Sequence, residues 1–235
     1  MAIQSHEPLG YAAARRTVEL GRAAFFSSST EDLPIAGSEQ IAFDDLLPQF
    51  GYVGARYEKC RILLLGINPG NGPRNERSAG DISAMPALHK FSAERTPEAF
   101  REAQTAYRAV CEGWAIWGRQ CYELLRNTGI GMEEVAFTNA LPWRTASQSA
   151  FKKQIALRAA ELYVKPFVLE LKPRIIVAVG KKAAEILDYA GLLSDIVVVW
   201  NRAQALQPQV VADREAARRK LVKLLSVPGS VGLFG

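Results

Sequence analysis

Four short apolar runs, each ending at a Gly or an Asn, constrain this chain more than any other feature. They are RILLLG (61–66), VAFTNA (135–140), RIIVAVG (174–180) and IVVVW (196–200), the last followed by Asn201. Continuous branched apolar residues over such lengths suit strands covered on both faces, as in a parallel sheet. Helical patterns fill the intervals. Thr96-Pro97 starts one, with Thr as cap and Pro in the first turn, and it runs to about Asn127, ahead of stop signals at Gly129 and Gly131. Ser147 or Ser149 caps a second. Its apolar positions Ile155, Ala159, Leu162 and Leu169 keep a helical period, with Pro166 kinking or resetting it. Residues 181–190 form a third, and about 211–225 a last, with a basic face of Arg214, Arg218, Arg219 and Lys223. Strands alternating with helices predict an α/β fold: a three-layer α/β/α sandwich around a four-stranded parallel sheet.

Ahead of the first strand, residues 8–26 read as a helix broken by SSST at 27–30, and FDDLLPQF (43–50) allows a short helix. No repeat and no low-complexity linker marks a boundary. The expectation is one domain over 1–235, with 1–55 a helical N-terminal extension.

Composition excludes several classes. The chain has 235 residues, 49% apolar and 23% charged, which is ample for a core and ordinary for a soluble protein. Cys60, Cys111 and Cys121 are odd in number and widely spaced, with no C-x-x-C pair. That argues against zinc, an iron–sulfur cluster or a disulfide framework, and fits a reducing cytosol. Two histidines, His6 and His89, are too few for a histidine metal site. The N-terminus lacks a signal-peptide pattern. No apolar run approaches the roughly 18 to 20 residues that cross a bilayer. A cytoplasmic protein with no membrane partner, metal or cofactor is expected. The net charge of +5 tilts it mildly towards polyanions.

In parallel sheets ligands bind beyond the C-terminal strand ends. This directs attention to four loops: 66–75, 139–146, 180–182 and 200–208. The first, GINPGNGPR, has neither the P-loop nor the G-x-G-x-x-G spacing, so ATP and NAD lose their best support. It offers backbone N–H groups and Asn68, an amide able to orient a water or a substrate but not to act as a strong base. It is equally a good turn. In the second, FTNALPWR, the Asn139 amide sets a donor beside an acceptor, which suits a pyrimidine edge or unsatisfied loop backbone. Trp143 and Arg144 fit stacking on a base and a phosphate contact, or Trp143 caps the core. In the third, Lys181 and Lys182 oppose the dipole of the helix they open, which makes sense around an anion or as a solvated pair. In the fourth, Arg202 beside Asn201 serves a phosphate or a surface ion pair.

These stretches resemble the uracil-DNA glycosylase superfamily. GINPG (66–70) matches the first motif of the mismatch-specific uracil/thymine-DNA glycosylases. FTNALPWR (137–144) resembles the strand and loop carrying the superfamily's base-reading asparagine. VKPFVLELKPRIIVAVGKKAAEIL (164–187) resembles the helix–strand–helix of the iron–sulfur uracil-DNA glycosylases. The resemblance covers about residues 60 to 200 in order. It implies base excision from DNA: hydrolysis of the N-glycosidic bond of uracil or a related damaged or mismatched base, without cofactor or metal cluster. Asn68 would orient the water that attacks C1′. Gly66, Ile67, Pro69 and Gly70 would line the base pocket, Asn139 would hydrogen-bond the flipped base, and Phe91 would stack on it. Lys181, Lys182, Asn201 and Arg202 would contact DNA. Such an enzyme must extract its base from the duplex and stabilise a cationic, oxocarbenium-like sugar.

Two places depart from the superfamily. Its last motif, His-Pro-Ser or Asn-Pro-Ser, is replaced by WNRAQALQP, where only Asn201 matches. Tyr163 stands about where the iron–sulfur branch has a cysteine. Two alternatives therefore stay open: a non-catalytic relative that binds nucleic acid or a nucleobase, and a hydrolase or transferase acting on a small nucleotide-like molecule.

Overall fold

A computed structural model describes residues 7–26, 47–67, 69, 79–112, 122–125, 128–143, 153–201 and 207–227. The four apolar runs are strands: β2 Ile62–Gly66, β3 Val135–Asn139, β4 Ile175–Val179 and β5 Val197–Trp200. All pair in parallel, β2 lying between β3 and β4 and β5 outside β4.

A strand not anticipated, β1 Tyr52–Val53, pairs antiparallel with β3. The four-stranded parallel sheet expected from the sequence is therefore five-stranded and mixed, in the order β1-β3-β2-β4-β5. Two residues make too short a run to register as a strand. The glycines around them carry the signal instead. A Cβ on Gly51 would stand 1.9 Å from the Phe137 carbonyl oxygen, and one on Gly54 would stand 2.4 Å from that of Glu133. Only backbones without side chains come this close.

Helices cover both faces, and the short α2 Tyr57–Cys60 leads into β2. Leu63, Leu65, Ala136, Ile176, Ala178 and Val197 point into one core with α1 Tyr11–Leu20, α3 Ala79–Glu94, α6 Lys153–Ala159, α7 Lys165–Leu171 and α8 Lys181–Tyr189. The alternate residues Ile62, Leu64, Val135, Phe137, Val177 and Val198 point into the other. Its helices are α5 Tyr122–Leu125, α9 Pro208–Ser226 and the end of α4 Pro97–Glu112, which supplies Tyr107 and Cys111. This two-sided coverage is why the runs are continuous rather than alternating.

The starts of α4 at Pro97 and α8 at Lys181 agree with the sequence, whereas α3 was not anticipated. Thr96 Oγ1 accepts the Ala99 N–H at 3.2 Å, capping α4. Of its expected extension to Asn127, residues 113–121 and 126–127 lie outside the described residues. The N-terminal helix is shorter than expected, because Gly21 at φ 69° ends α1 and a 3₁₀ turn, Arg22–Ala24, follows. Glu170 of α7 accepts the Ala12 and Ala13 N–H groups at 3.3 and 3.0 Å, holding α1 onto α7. Residues 47–50 of the expected 43–50 helix are not helical, and 43–46 lie outside the described residues.

Pro166 does more than kink its helix. It has no N–H to bond the Leu162 carbonyl, and the chain takes a π turn, Ala160–Val164, just before it, with the Lys165 N–H bonded to the Ala160 carbonyl. The wider turn shifts the buried stripe to Ile155, Ala159, Tyr163, Phe167 and Leu171. Leu169, expected on the apolar face, is 45% exposed.

Candidate functional site

Register brings the C-terminal ends of the four parallel strands to one edge. Asn139 of β3 pairs with Gly66 of β2, Leu65 with Ala178, and Val179 with Trp200. One residue further along, Ala140, Ile67, Gly180 and Asn201 all leave the sheet from the same row. The chain goes to one side of β2 to form β3 and to the other to form β4 and β5, so the switch of direction falls at β2. Ligand crevices of open α/β sheets form at such points.

The β2–β3 corner is buried and neutral. Asn139 is 2% exposed. Its Nδ2 donates to the Tyr107 hydroxyl of α4 at 3.4 Å. Its Oδ1 lies over Gly66, where a Cβ would stand only 2.3 Å from it. Gly66 is thus required by the amide above it; it is not among the positive-φ glycines. Thr138, one residue earlier, faces the opposite core. Its hydroxyl is 2.8 Å from that of Tyr163 and donates to the Phe50 carbonyl at 3.2 Å. Burial pushes the Tyr163 phenol far up, so it is a neutral hydrogen-bonding group. Ladder-like bonds continue past the strands, from the Ala140 N–H to the Gly66 carbonyl and from the Leu141 N–H to that of Ile67. Ile67 and Pro69 are buried beneath this extension.

Gly66, Ile67 and Asn139 are therefore brought together. Phe91 is fully buried in the core, its ring centre 5.0 Å from that of Phe100 and 5.6 Å from that of Phe50, whose carbonyl accepts the Thr138 hydroxyl. Trp143 caps the core: it is 1% exposed, with Phe25 at 4.7 Å. Asn68, Gly70, Arg144, Ser147, Ser149 and Arg202 lie outside the described residues.

The β4–β5 corner is charged. Gly180, at φ 102°, opens α8, and Lys181 and Lys182 are exposed on its first turn. Asn201 donates to Asp213 at 2.9 Å, and Gln209 donates to the same carboxylate at 2.7 Å. These bonds, with the charge of Lys181, hold the Asp213 carboxyl below its usual range. Arg214 donates to the Asn201 carbonyl and to Glu123, and its guanidinium lies 5.3 Å from the Trp200 ring centre. Arg218 donates to the Glu123 carbonyl and stands 5.7 Å from the same ring. Part of the basic face of α9 thus turns inward.

The sequence reading missed Tyr107 and Thr138. Tyr107 follows Phe100 and Ala103 on one stripe of α4, and nothing in that spacing separates a packing tyrosine from one that meets a site residue. Among the described residues no cluster of His, Cys, Asp or Glu is placed to hold a metal ion, and no helix is long and apolar enough to cross a membrane. The β2–β3 corner carries an amide, hydroxyls and close backbone rather than a poised acid and base. That chemistry suits recognition of a neutral polar ligand. No protein-family model matches the chain, and neither does any curated protein.

Proposed function

We propose that this chain is a DNA base-excision glycosylase, acting on uracil or a related damaged or mismatched base. One observation carries the reading: Asn139 is buried at the end of β3 with its amide oxygen close over Gly66, where a Cβ would stand 2.3 Å from it. An amide in that position matches a lactam edge, where a ring N–H adjoins a carbonyl.

In this mechanism the base is flipped out of the stack and its edge is held by Asn139. The bond between C1′ and the base nitrogen breaks, and the base leaves with the electron pair. Water oriented by Asn68 adds to C1′ and loses its proton to solvent. Hydrogen bonds to the departing base stabilise its negative charge, so the step does not require a strong general base.

An oligonucleotide panel tests this, with uracil in single strands and opposite G and A, a thymine mismatch, hypoxanthine and xanthine. Alkali-labile abasic sites are expected, with Asn68→Ala and Asn139→Ala each slowing their formation about 100-fold. No abasic site on any of these substrates ends the reading.

A second reading, a non-catalytic nucleic-acid or nucleobase binder, draws support from Asn201. At the place of the superfamily's last motif, this side chain is tied to Asp213 and its carbonyl to Arg214. Affinity for DNA that falls steeply with salt, without abasic product, is its signature.

A further inference from the structure

We infer that Gln49 contacts the ligand of the β2–β3 corner, its side-chain oxygen accepting a hydrogen bond from an N–H of a bound nucleobase. Gln49 is 2% exposed, yet its Oε1 has no hydrogen-bond partner among the described residues. An orphaned buried acceptor is destabilising, so its retention asks for a reason.

Its place in the fold supplies one. The chain before β1 runs antiparallel to β3, with Tyr52 opposite Phe137, so Gln49 comes level with the chain just past Asn139. There the Gln49 N–H donates to the Pro142 carbonyl at 2.8 Å. The next residue, Phe50, accepts the Thr138 hydroxyl through its carbonyl. Gly51 lies hard against the Phe137 carbonyl. Three successive residues pinned along the end of β3 hold the Gln49 backbone at this corner. The oxygen is buried and unsatisfied beside the chain that follows Asn139.

An acceptor selects a donor. Phosphate and carboxylate present only oxygens and would be repelled. A lactam base presents ring N–H groups on a flat, neutral body that a dry corner tolerates. The ligand class is therefore a lactam nucleobase: uracil, hypoxanthine or xanthine. This rests on the base-pocket reading above and adds a second recognition group to it.

The test is calorimetric binding of free uracil, hypoxanthine and xanthine to the full chain, comparing wild type with Gln49→Met, an unbranched apolar replacement of similar size. At least one base is expected to bind wild type, and about tenfold more weakly to the variant. The ligand-free variant should melt no lower than wild type, because it buries no orphan oxygen. Equal affinity in both proteins overturns the role of Gln49 while leaving the pocket standing. No binding of any base to wild type overturns both. Should Gln49→Met not fold, ¹⁵N spectra of wild type decide: the Gln49 side-chain NH₂ resonance must move when base is added, and an unmoved resonance overturns the inference.

Discussion

At the β2–β3 end of the sheet edge the polar groups are neutral and buried: the Asn139 amide against Tyr107 and Gly66, and the Thr138 hydroxyl against Tyr163 and Phe50. At the β4–β5 end they are charged and partly exposed, with Asp213, Arg214, Arg218 and Glu123 gathered around Asn201 and Trp200. The two ends lie on one row of one sheet, roughly 14 Å apart at three strand spacings. Their difference follows from what covers them. A polar group sealed under helices is costly unless it meets a fixed partner, so geometry there is tight. Charges near solvent are screened and tolerate looser geometry, so the other end ties α9 and α5 to β5 at low cost.

Substitutions at the two ends should therefore differ in kind. Gly66→Ala is the most severe, because its Cβ would meet Asn139 Oδ1 at 2.3 Å. Displacing the amide should destabilise the protein by about 1–3 kcal/mol in chemical denaturation and abolish base binding. A Gly66→Ala protein with wild-type stability would dissolve the tight corner.

Thr138→Val comes next. It removes a buried hydroxyl shared by Tyr163 and Phe50. The expected loss is about 1–3 kcal/mol, insensitive to salt, since no charge is involved. Arg214→Met at the opposite end should cost only about 0.5–1 kcal/mol, and the cost should shrink in 1 M salt as the Glu123 pair is screened. If the salt dependence were reversed between these two variants, the contrast would be wrong.

The smallest effect is in pH. The folded Asp213 carboxyl is held below its usual value, chiefly by Asn201 and then Gln209. Its stabilisation is complete above the unfolded value, about 3.9, and is lost as pH falls through the lower folded value. Melting temperatures of wild type and Asp213→Asn should differ at pH 6 and converge in acid below about pH 4.

Glu170 runs the other way. Burial raises its carboxyl despite the N–H groups of Ala12 and Ala13. A folded pKa above the unfolded one makes wild type gain on Glu170→Gln as pH is lowered from 7 towards 4, which paired melting curves will show.

Much of the frame was legible in the sequence for a simple reason. A strand covered on both faces must be apolar throughout, and nothing else in a chain of this composition looks like RILLLG or RIIVAVG. The strand ends were legible too, because Gly66, Asn139, Gly180 and Asn201 stop the apolar pattern. β1 was hidden because two residues carry no period, and the π turn before Pro166 because composition does not reveal which carbonyl a backbone N–H chooses. α3 was hidden by Gly80 and Pro86, poor helix formers that tertiary packing overrides.

The sequence by itself determined the four parallel strands and where each stops, since burial on two faces and the loss of apolar pattern are local properties. Only the tertiary structure decided which of those ends meet. Strand order and register seat the Asn139 oxygen over Gly66, bring Tyr107 from α4 to its nitrogen, and bury Gln49 at the same corner. Those contacts join residues far apart in the chain. They come from pairing and packing between elements, which no local pattern encodes.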